Sequence, residues 1–350
     1  MTDPNAPSSP ARAATPRRWL RIGIGWAIAL VFVVLAFRRV SFDAVIAALA
    51  TARAVPLLLA LVALAAGFAM RIVRWWWMLR ALEPTLPVRA CVRPFLVSIA
   101  INNTVPLRVG DVVRAVGFRS ALRSSAMAVA GTLLVERLLD VVVLLALLFG
   151  GLLMLGHTVV PRPFLVAGTV IGVLAGAGLL SLIFLPSLVR RSITWLIERA
   201  PLLPESVRAR GLRLAVQLFD SLLIVRPVGR ALVLLAATVV AWGLEGSAYA
   251  CVAWSLGADG SAFAPWFALA TGTLATMIPS SPGYVGTFDY FAVQGLTAFG
   301  ASHVVALTFA LLVHLLLWLP VTIVGALFLV APTTRRAAAS ERAVTAERAA

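Results

Sequence analysis

The chain has 350 residues, of which 61% are hydrophobic and only 13% charged, and its mean hydropathy is +0.99. Soluble domains run at roughly 45–50% apolar and 25% charged, so this composition excludes a soluble globular enzyme and a disordered chain alike. The net charge is +16 and all 30 basic residues are arginine. In a soluble protein that balance would point to nucleic acid; here it is read against a bilayer, and no nucleic-acid partner is expected.

Residues 1–17 are rich in Pro, Ala and Ser and read as a disordered tail. Arg17, Arg18 and Arg21 precede an apolar run that ends in Phe37-Arg38-Arg39 without a small-x-small cleavage site, so an uncleaved first span is expected. A spanning helix needs about 20 apolar residues. Six stretches qualify: 20–37, 56–79, 125–156, 163–186, 231–256 and 303–330. Two further apolar stretches, Phe95–Ile101 and Pro265–Ile278, are cut short by turn residues and continue into second helical pieces. The fold class is therefore all-α: a polytopic membrane bundle of about six full spans plus two broken or re-entrant helical hairpins. Residues 187–230 form an amphipathic connection suited to an anionic membrane surface. The transmembrane domain runs over 18–332, and 333–350 reads as a second disordered tail.

Arginine placement orients the chain. One side collects four Arg on the N-terminal tail, nine between Arg71 and Arg123, eight between Arg190 and Arg230, and four beyond Pro332. The other side has Arg38, Arg39, Arg53 and Arg162. By the positive-inside rule both termini are cytoplasmic, in a bacterial-type inner membrane. Cys91 and Cys251 lie in apolar segments and read as small apolar residues, not as a disulfide.

Three constellations interrupt the apolar pattern. The first is Asn102-Asn103-Thr104-Val105-Pro106-Leu107-Arg108-Val109-Gly110-Asp111-Val112-Val113-Arg114. Asn-Asn and Pro106 stop a helix, Gly110 permits a tight restart, and Asp111 falls where a carboxylate caps free N–H groups. Irregular backbone at membrane depth survives only inside protein or along a wet cavity. A polar cavity follows, with Arg108 and Arg114 offered to an anionic headgroup, because arginine makes forked bonds to phosphate. Asp111 and Arg114 are spaced to pair.

The second is Glu136-Arg137-Leu138-Leu139-Asp140, three charges within one turn of a Val/Leu helix. Each costs at least about 2.5 kcal/mol at the bilayer centre. Glu136 and Asp140 share a face and Arg137 reaches Asp140, giving either a structural ion pair or part of a substrate or proton pathway. The third is Met277-Ile278-Pro279-Ser280-Ser281-Pro282-Gly283-Tyr284-Val285-Gly286-Thr287-Phe288-Asp289. Its prolines and glycines force a non-helical connector, with Gly286 or Thr287 capping the next helix and Asp289 in its first turn. Similar breaks in the two halves suggest an inverted repeat of the transporter kind.

Glu245 lies in an apolar run and needs a partner, for which Arg137 is a candidate. His314 reads as a hydrogen bonder between helices. Trp75-Trp76-Trp77, with Arg71, Arg74 and Arg80, reads as an interfacial aromatic anchor, and Arg71 and Arg74 can extend the basic mouth. No phosphate-binding Gly-Lys-Ser/Thr loop, no metal-spaced His/Cys set and no Gly-x-Ser-x-Gly elbow occurs. No ATPase motor, metal or cofactor is expected.

Taken together, Asn103, Pro106, Gly110, Asp111 and Arg114, then Glu136 to Asp140, then Pro279 to Gly283 (Ser281 and Pro282 included) with Gly286, resemble the flippase-like family that includes the transmembrane region of lysylphosphatidylglycerol synthases. The resemblance covers roughly residues 18–332. Asp111 and Asp289 stand where that family often has Glu, which keeps the charge and shortens the reach. The resemblance implies a protein that handles lipids, either aminoacylated phospholipids or polyprenyl-phosphate-linked ones, in a stand-alone form without an aminoacyl-transfer domain and so not itself an enzyme. The expected function is binding an anionic lipid and moving it between leaflets. Arg108 and Arg114 would hold the phosphate, and Arg137 would be held ready by Glu136 and Asp140. The substrate site then comprises Asn103, Pro106, Arg108, Gly110, Asp111, Arg114, Glu136, Arg137, Asp140, Glu245, Pro279, Ser281, Pro282, Gly283, Gly286 and Asp289. The alternative is a non-transporting membrane subunit that presents lipid to a separate glycosyltransferase or synthase; a small-solute or ion transporter is a third reading. Expected partners are membrane lipids, with a lipid-modifying enzyme or a second copy of the chain as candidates.

Overall fold

The computed structural model describes residues 27–28, 30–38, 40–105, 108–155, 185–199, 204–222, 227–258, 260–278 and 280–330, with scattered positions between 166 and 181. Among the described residues the structure is helical without strands. The helices are α1 (Phe42–Ala50), α2 (Ala54–Arg80), α3 (Arg89–Thr104), α4 (Val109–Val116), α5 (Arg119–Leu122), α6 (Ala126–Leu155), α7 (Pro186–Glu198), α8 (Glu205–Leu222), α9 (Val228–Ser255), α10 (Ala264–Ala275), α11 (Thr287–Thr297) and α12 (His303–Val330), with a short 3-10 turn at Pro282–Tyr284.

Four of these, α2, α6, α9 and α12, are long and apolar enough to cross a bilayer. They coincide with four of the six expected spans. Of the other two, 20–37 is described only toward its end, where 30–37 are helical, and 163–186 is described only at scattered positions; Pro106, Pro279 and both tails lie outside the described residues. The connection after 186 does contain two helices. On α7, Arg190 and Arg191 are exposed beside Leu188, Trp195 and Leu196.

Both broken stretches fold back on themselves. Gly110 lies so close to α3 that a Cβ there would sit on the Ser98 carbonyl oxygen, so α4 runs antiparallel along the end of α3. In the second hairpin, a Cβ on Gly295 would meet Ala268 and Thr271, and one on Gly272 would meet Phe288 and Ala292. α10 and α11 are thus antiparallel, and the Thr271 hydroxyl donates to the Phe291 carbonyl across them at 2.9 Å. In each hairpin a missing side chain lets two backbones approach.

Antiparallel pairs complete the bundle. α2 packs along α9 from the Arg53 N–H, which donates to the Ser255 carbonyl at 2.9 Å, to Arg74 opposite Thr238. α12 runs along α3, with Gly325 against Leu96 and Ala100. The apolar core has two parts: one around Ala268, Leu296, Phe309 and Ala310, the other around Trp75, Phe95, Leu122 and Leu139. The charged residues lie where these parts meet.

Candidate functional site

The two breaks meet. Arg108 stands at the start of α4 with φ of 52°, in the left-handed region, and Gly283, Tyr284 and Gly286 at the second break have φ of 67°, 60° and 84°. These conformations turn the chain between half-helices, and glycine takes two of them at no steric cost. Across the junction the Arg108 Nε–H donates to the Tyr284 hydroxyl at 3.0 Å, and Nη2 lies 3.5 Å from the Thr276 hydroxyl.

One face of α12 ties both breaks. His314, Trp318 and Thr322 are spaced i, i+4, i+8 and therefore share a stripe. His314 Nε2 lies 3.0 Å from the Gly283 carbonyl and Nδ1 2.8 Å from Asp289 Oδ1. The Trp318 indole donates to the Asn103 carbonyl at 3.2 Å, and the Asn103 amide donates to the Thr322 hydroxyl at 2.8 Å. Asp289 also caps α11 as its position predicts, since Oδ2 accepts the Gly286 N–H at 2.8 Å. Ser281 braces the same turn by donating to the Val285 carbonyl at 3.0 Å.

Beside the junction lies a buried charged layer. The Arg74 guanidinium, 1% exposed, meets Asp140 at 2.7 Å and 3.5 Å, the Thr238 hydroxyl at 2.8 Å and Glu136 at 3.9 Å. The Trp242 indole adds a bond to Asp140 at 3.1 Å. Arg71 pairs with Glu245 at 2.6 Å and lies 4.6 Å from the Trp242 ring centroid. Arg114 is held between Trp75 and Phe95, at 3.6 Å and 4.5 Å from their ring centroids, and meets Glu136 at 3.4 Å. Three arginines thus face three carboxylates, and neutral pairing is what makes such burial affordable in a medium of low dielectric.

Several expected pairings differ. Arg137 does not pair with Asp140. Its half-exposed guanidinium meets Asp111 on α4 at 3.5 Å, and Asp140 is taken by Arg74 and the Trp242 indole. Asp111 does not cap α4 or pair with Arg114; it accepts from the Asn102 amide at 2.9 Å and faces Arg137. Glu245 takes Arg71 and not Arg137. The Trp75-Trp76-Trp77 run does not act as one anchor: Trp75 is fully buried and donates to the Thr132 hydroxyl at 3.0 Å, whereas Trp77 is 40% exposed. Arg71, Arg74 and Arg114 sit inside the bundle and so are not loop charges, although the same side of the chain stays the richer in arginine without them.

The structure therefore gathers Asn103, Arg108, Gly110, Asp111, Ser281, Pro282, Gly283, Gly286 and Asp289 around the junction, and Arg114, Glu136, Asp140 and Glu245 in the buried layer. Arg137 stands between them, on the helix of Glu136 and Asp140 and paired with Asp111 at the junction.

A family model for the lysylphosphatidylglycerol synthase TM region matches residues 20–325. The chain belongs to that family. As a member of the lysylphosphatidylglycerol synthase transmembrane-region family, it is a membrane protein linked to lipid handling. The matched span contains both helix breaks, the whole buried charged layer and the whole α12 stripe that joins them. No curated protein and no solved structure gives a significant match.

Sequence reasoning gave Arg71, Arg74, His314 and Tyr284 lesser roles than the geometry does. The signal for the arginines was available: on α2 they are three apart, on one face of an otherwise apolar helix, and intramembrane charges of that kind need internal partners.

Proposed function

We propose that the chain binds the charged headgroup of an anionic lipid where its two helix breaks meet, and carries it between leaflets of a bacterial-type inner membrane with both termini in the cytoplasm. The observation that carries this reading is Arg108, which bridges the breaks through Tyr284 and keeps guanidinium donors beyond those two contacts. Arginine's planar fork suits phosphate oxygens. Arg137 is the second contact, because its side chain is 42% exposed and its bond to Asp111 is long. Arg114 is better read as a support, since it is 2% exposed and enclosed by rings. The hairpins, joined to each other and to α12 through side-chain hydrogen bonds rather than a continuous helix, are the elements that move.

In this reading the protein is a carrier and not an enzyme. The alternative, a subunit that presents lipid to a separate glycosyltransferase or synthase, is favoured by α7, which displays Arg190, Arg191, Leu188, Trp195 and Leu196 outward and so offers a surface for a partner. Reconstitution in vesicles separates the two. A fluorescent anionic lipid equilibrates faster across vesicles holding the wild-type protein, and Arg108→Gln removes the acceleration. Equilibration no faster than in empty vesicles supports the alternative.

A further inference from the structure

His314 and Asp289 are bound in a way that fixes how many protons they share. His314 Nε2 faces the Gly283 carbonyl, which can only accept, so Nε2 must carry hydrogen. Nδ1 lies 2.8 Å from Asp289 Oδ1. At that distance one proton stands between them, on the ring or on the carboxyl, because a bare nitrogen lone pair facing a carboxylate oxygen repels it. Asp289 Oδ2 already accepts the Gly286 N–H. The ring is further fixed by Phe288, edge-on at 5.1 Å between centroids.

From this geometry we infer that the Asp289–His314 pair is a proton-binding site that controls the second helix break. With the shared proton in place, α11 is fastened to α12 through Asp289 and to its own preceding turn through Gly286. When one of the two ring protons leaves to water, the neutral ring keeps its hydrogen on Nδ1, where the bond to the Asp289 carboxylate is charge-assisted and the stronger of the two, and the bare Nε2 turns repulsive toward the Gly283 carbonyl. The 3-10 turn at Gly283 then separates from α12 and the second break is released, while α11 stays held through Asp289. Because Trp318 and Thr322 on the same face of α12 hold Asn103, release of one break loosens its register against the other. The proton moves between the pair and water, and no other reactant is required.

The groups around the pair do not supply that proton's partner in place of Asp289. α9 brings Tyr249, and one turn earlier Glu245, which is committed to Arg71. The 3-10 turn brings Tyr284, which is engaged by Arg108. Near His314, α3 brings the uncharged Asn102 and Asn103, and its Arg89, Cys91 and Arg93 lie toward its other end. α1 brings Asp43, which is exposed. α12 itself adds only His303, at its opposite end from the membrane-buried stripe.

The test uses the full chain in lipid nanodiscs and no transport readout, so its failure leaves the lipid reading standing, and the reverse. Isotope-labelled histidine is followed by NMR from about pH 5 to about pH 10, a range wide enough for shifted histidines. The separation between spin labels on V285C and L315C, two exposed positions on the break and on α12, is measured at the same pH values with Cys91 and Cys251 replaced by alanine. One imidazole signal should change protonation state, should vanish in His314→Gln, and should share its midpoint with a lengthening of the label separation. In His314→Gln and Asp289→Asn that separation should not respond to pH. An imidazole that holds one protonation state throughout, or one that titrates while the separation stays constant, overturns the inference. Both readings come from the wild-type histidine pair, so the result stands even if His314→Gln does not fold.

Discussion

Arg108 donates to the hydroxyl of Tyr284 at 3.0 Å, and this bond joins two helix breaks separated by a large part of the chain. Both residues have left-handed backbone, a conformation that costs non-glycine residues about 1 kcal/mol or more. Strain of that kind persists where surrounding structure holds it, and it concentrates at working sites. Replacing Tyr284 with Phe should lower anionic-lipid binding less than Arg108→Gln does. The hydroxyl only orients the guanidinium, whereas a charge-assisted bond contributes about 1.5–3 kcal/mol, or roughly tenfold to a hundredfold in affinity. Titration of both variants with an anionic lipid in detergent measures the difference.

Arg74 and Asp140 are expected to behave as a unit. Arg74→Met alone leaves Asp140 in the bundle without its nearest cation and Glu136 with Arg114 alone, and should destabilise by about 3–5 kcal/mol. Arg74→Met with Asp140→Leu should recover much of that loss, since an apolar pair of similar volume often substitutes for a buried ion pair. Thermal unfolding of the single and double variants in detergent checks the order.

Arg114 should not tolerate lysine. Its guanidinium carbon lies 3.6 Å and 4.5 Å from the Trp75 and Phe95 ring centroids, and an ammonium lacks the planar face with which a guanidinium stacks on rings. Arg114→Lys should cost about 1–2 kcal/mol from the lost cation–π contacts. Because Arg114 is enclosed, the loss should appear in the melting temperature and not as a selective loss of lipid.

Gly110 and Gly243 make a contrasting pair. A Cβ at Gly110 would collide with the Ser98 carbonyl and come within 2.7 Å of Asn102 Oδ1, whereas at Gly243 nothing lies within 4 Å. Gly110→Ala should prevent α4 from closing on α3 and sharply reduce the yield of folded protein. Gly243→Ala should be neutral or stabilising by up to about 1 kcal/mol, because alanine is the better helix former. Size-exclusion profiles and melting temperatures of the two variants decide this.

The helices were legible because apolar length alone separates α2, α6, α9 and α12 from the rest, and the breaks because Asn-Asn, Pro and Gly stop helices at recognisable places. Partner choice was not legible. Local spacing offered Arg137 to Asp140 and Arg114 to Asp111, yet both arginines bond across helices: the enclosed Arg114 takes Glu136, as a buried charge needs a partner inside the protein, and the half-exposed Arg137 takes Asp111. The tryptophan run shows the same limit. Consecutive helical residues point about 100° apart, so Trp75 enters the core and Trp77 faces out, and a sequence pattern of three aromatics cannot by itself say which one is inside.

The most direct test of an anionic-lipid site at the junction is native mass spectrometry of the detergent-purified protein, comparing wild type with Arg108→Gln and Arg137→Gln. The account predicts one class of anionic lipid bound to the wild type and lost from both variants, with melting temperatures little changed. Lipid retained equally by all three proteins, or lost only together with the fold, would contradict it.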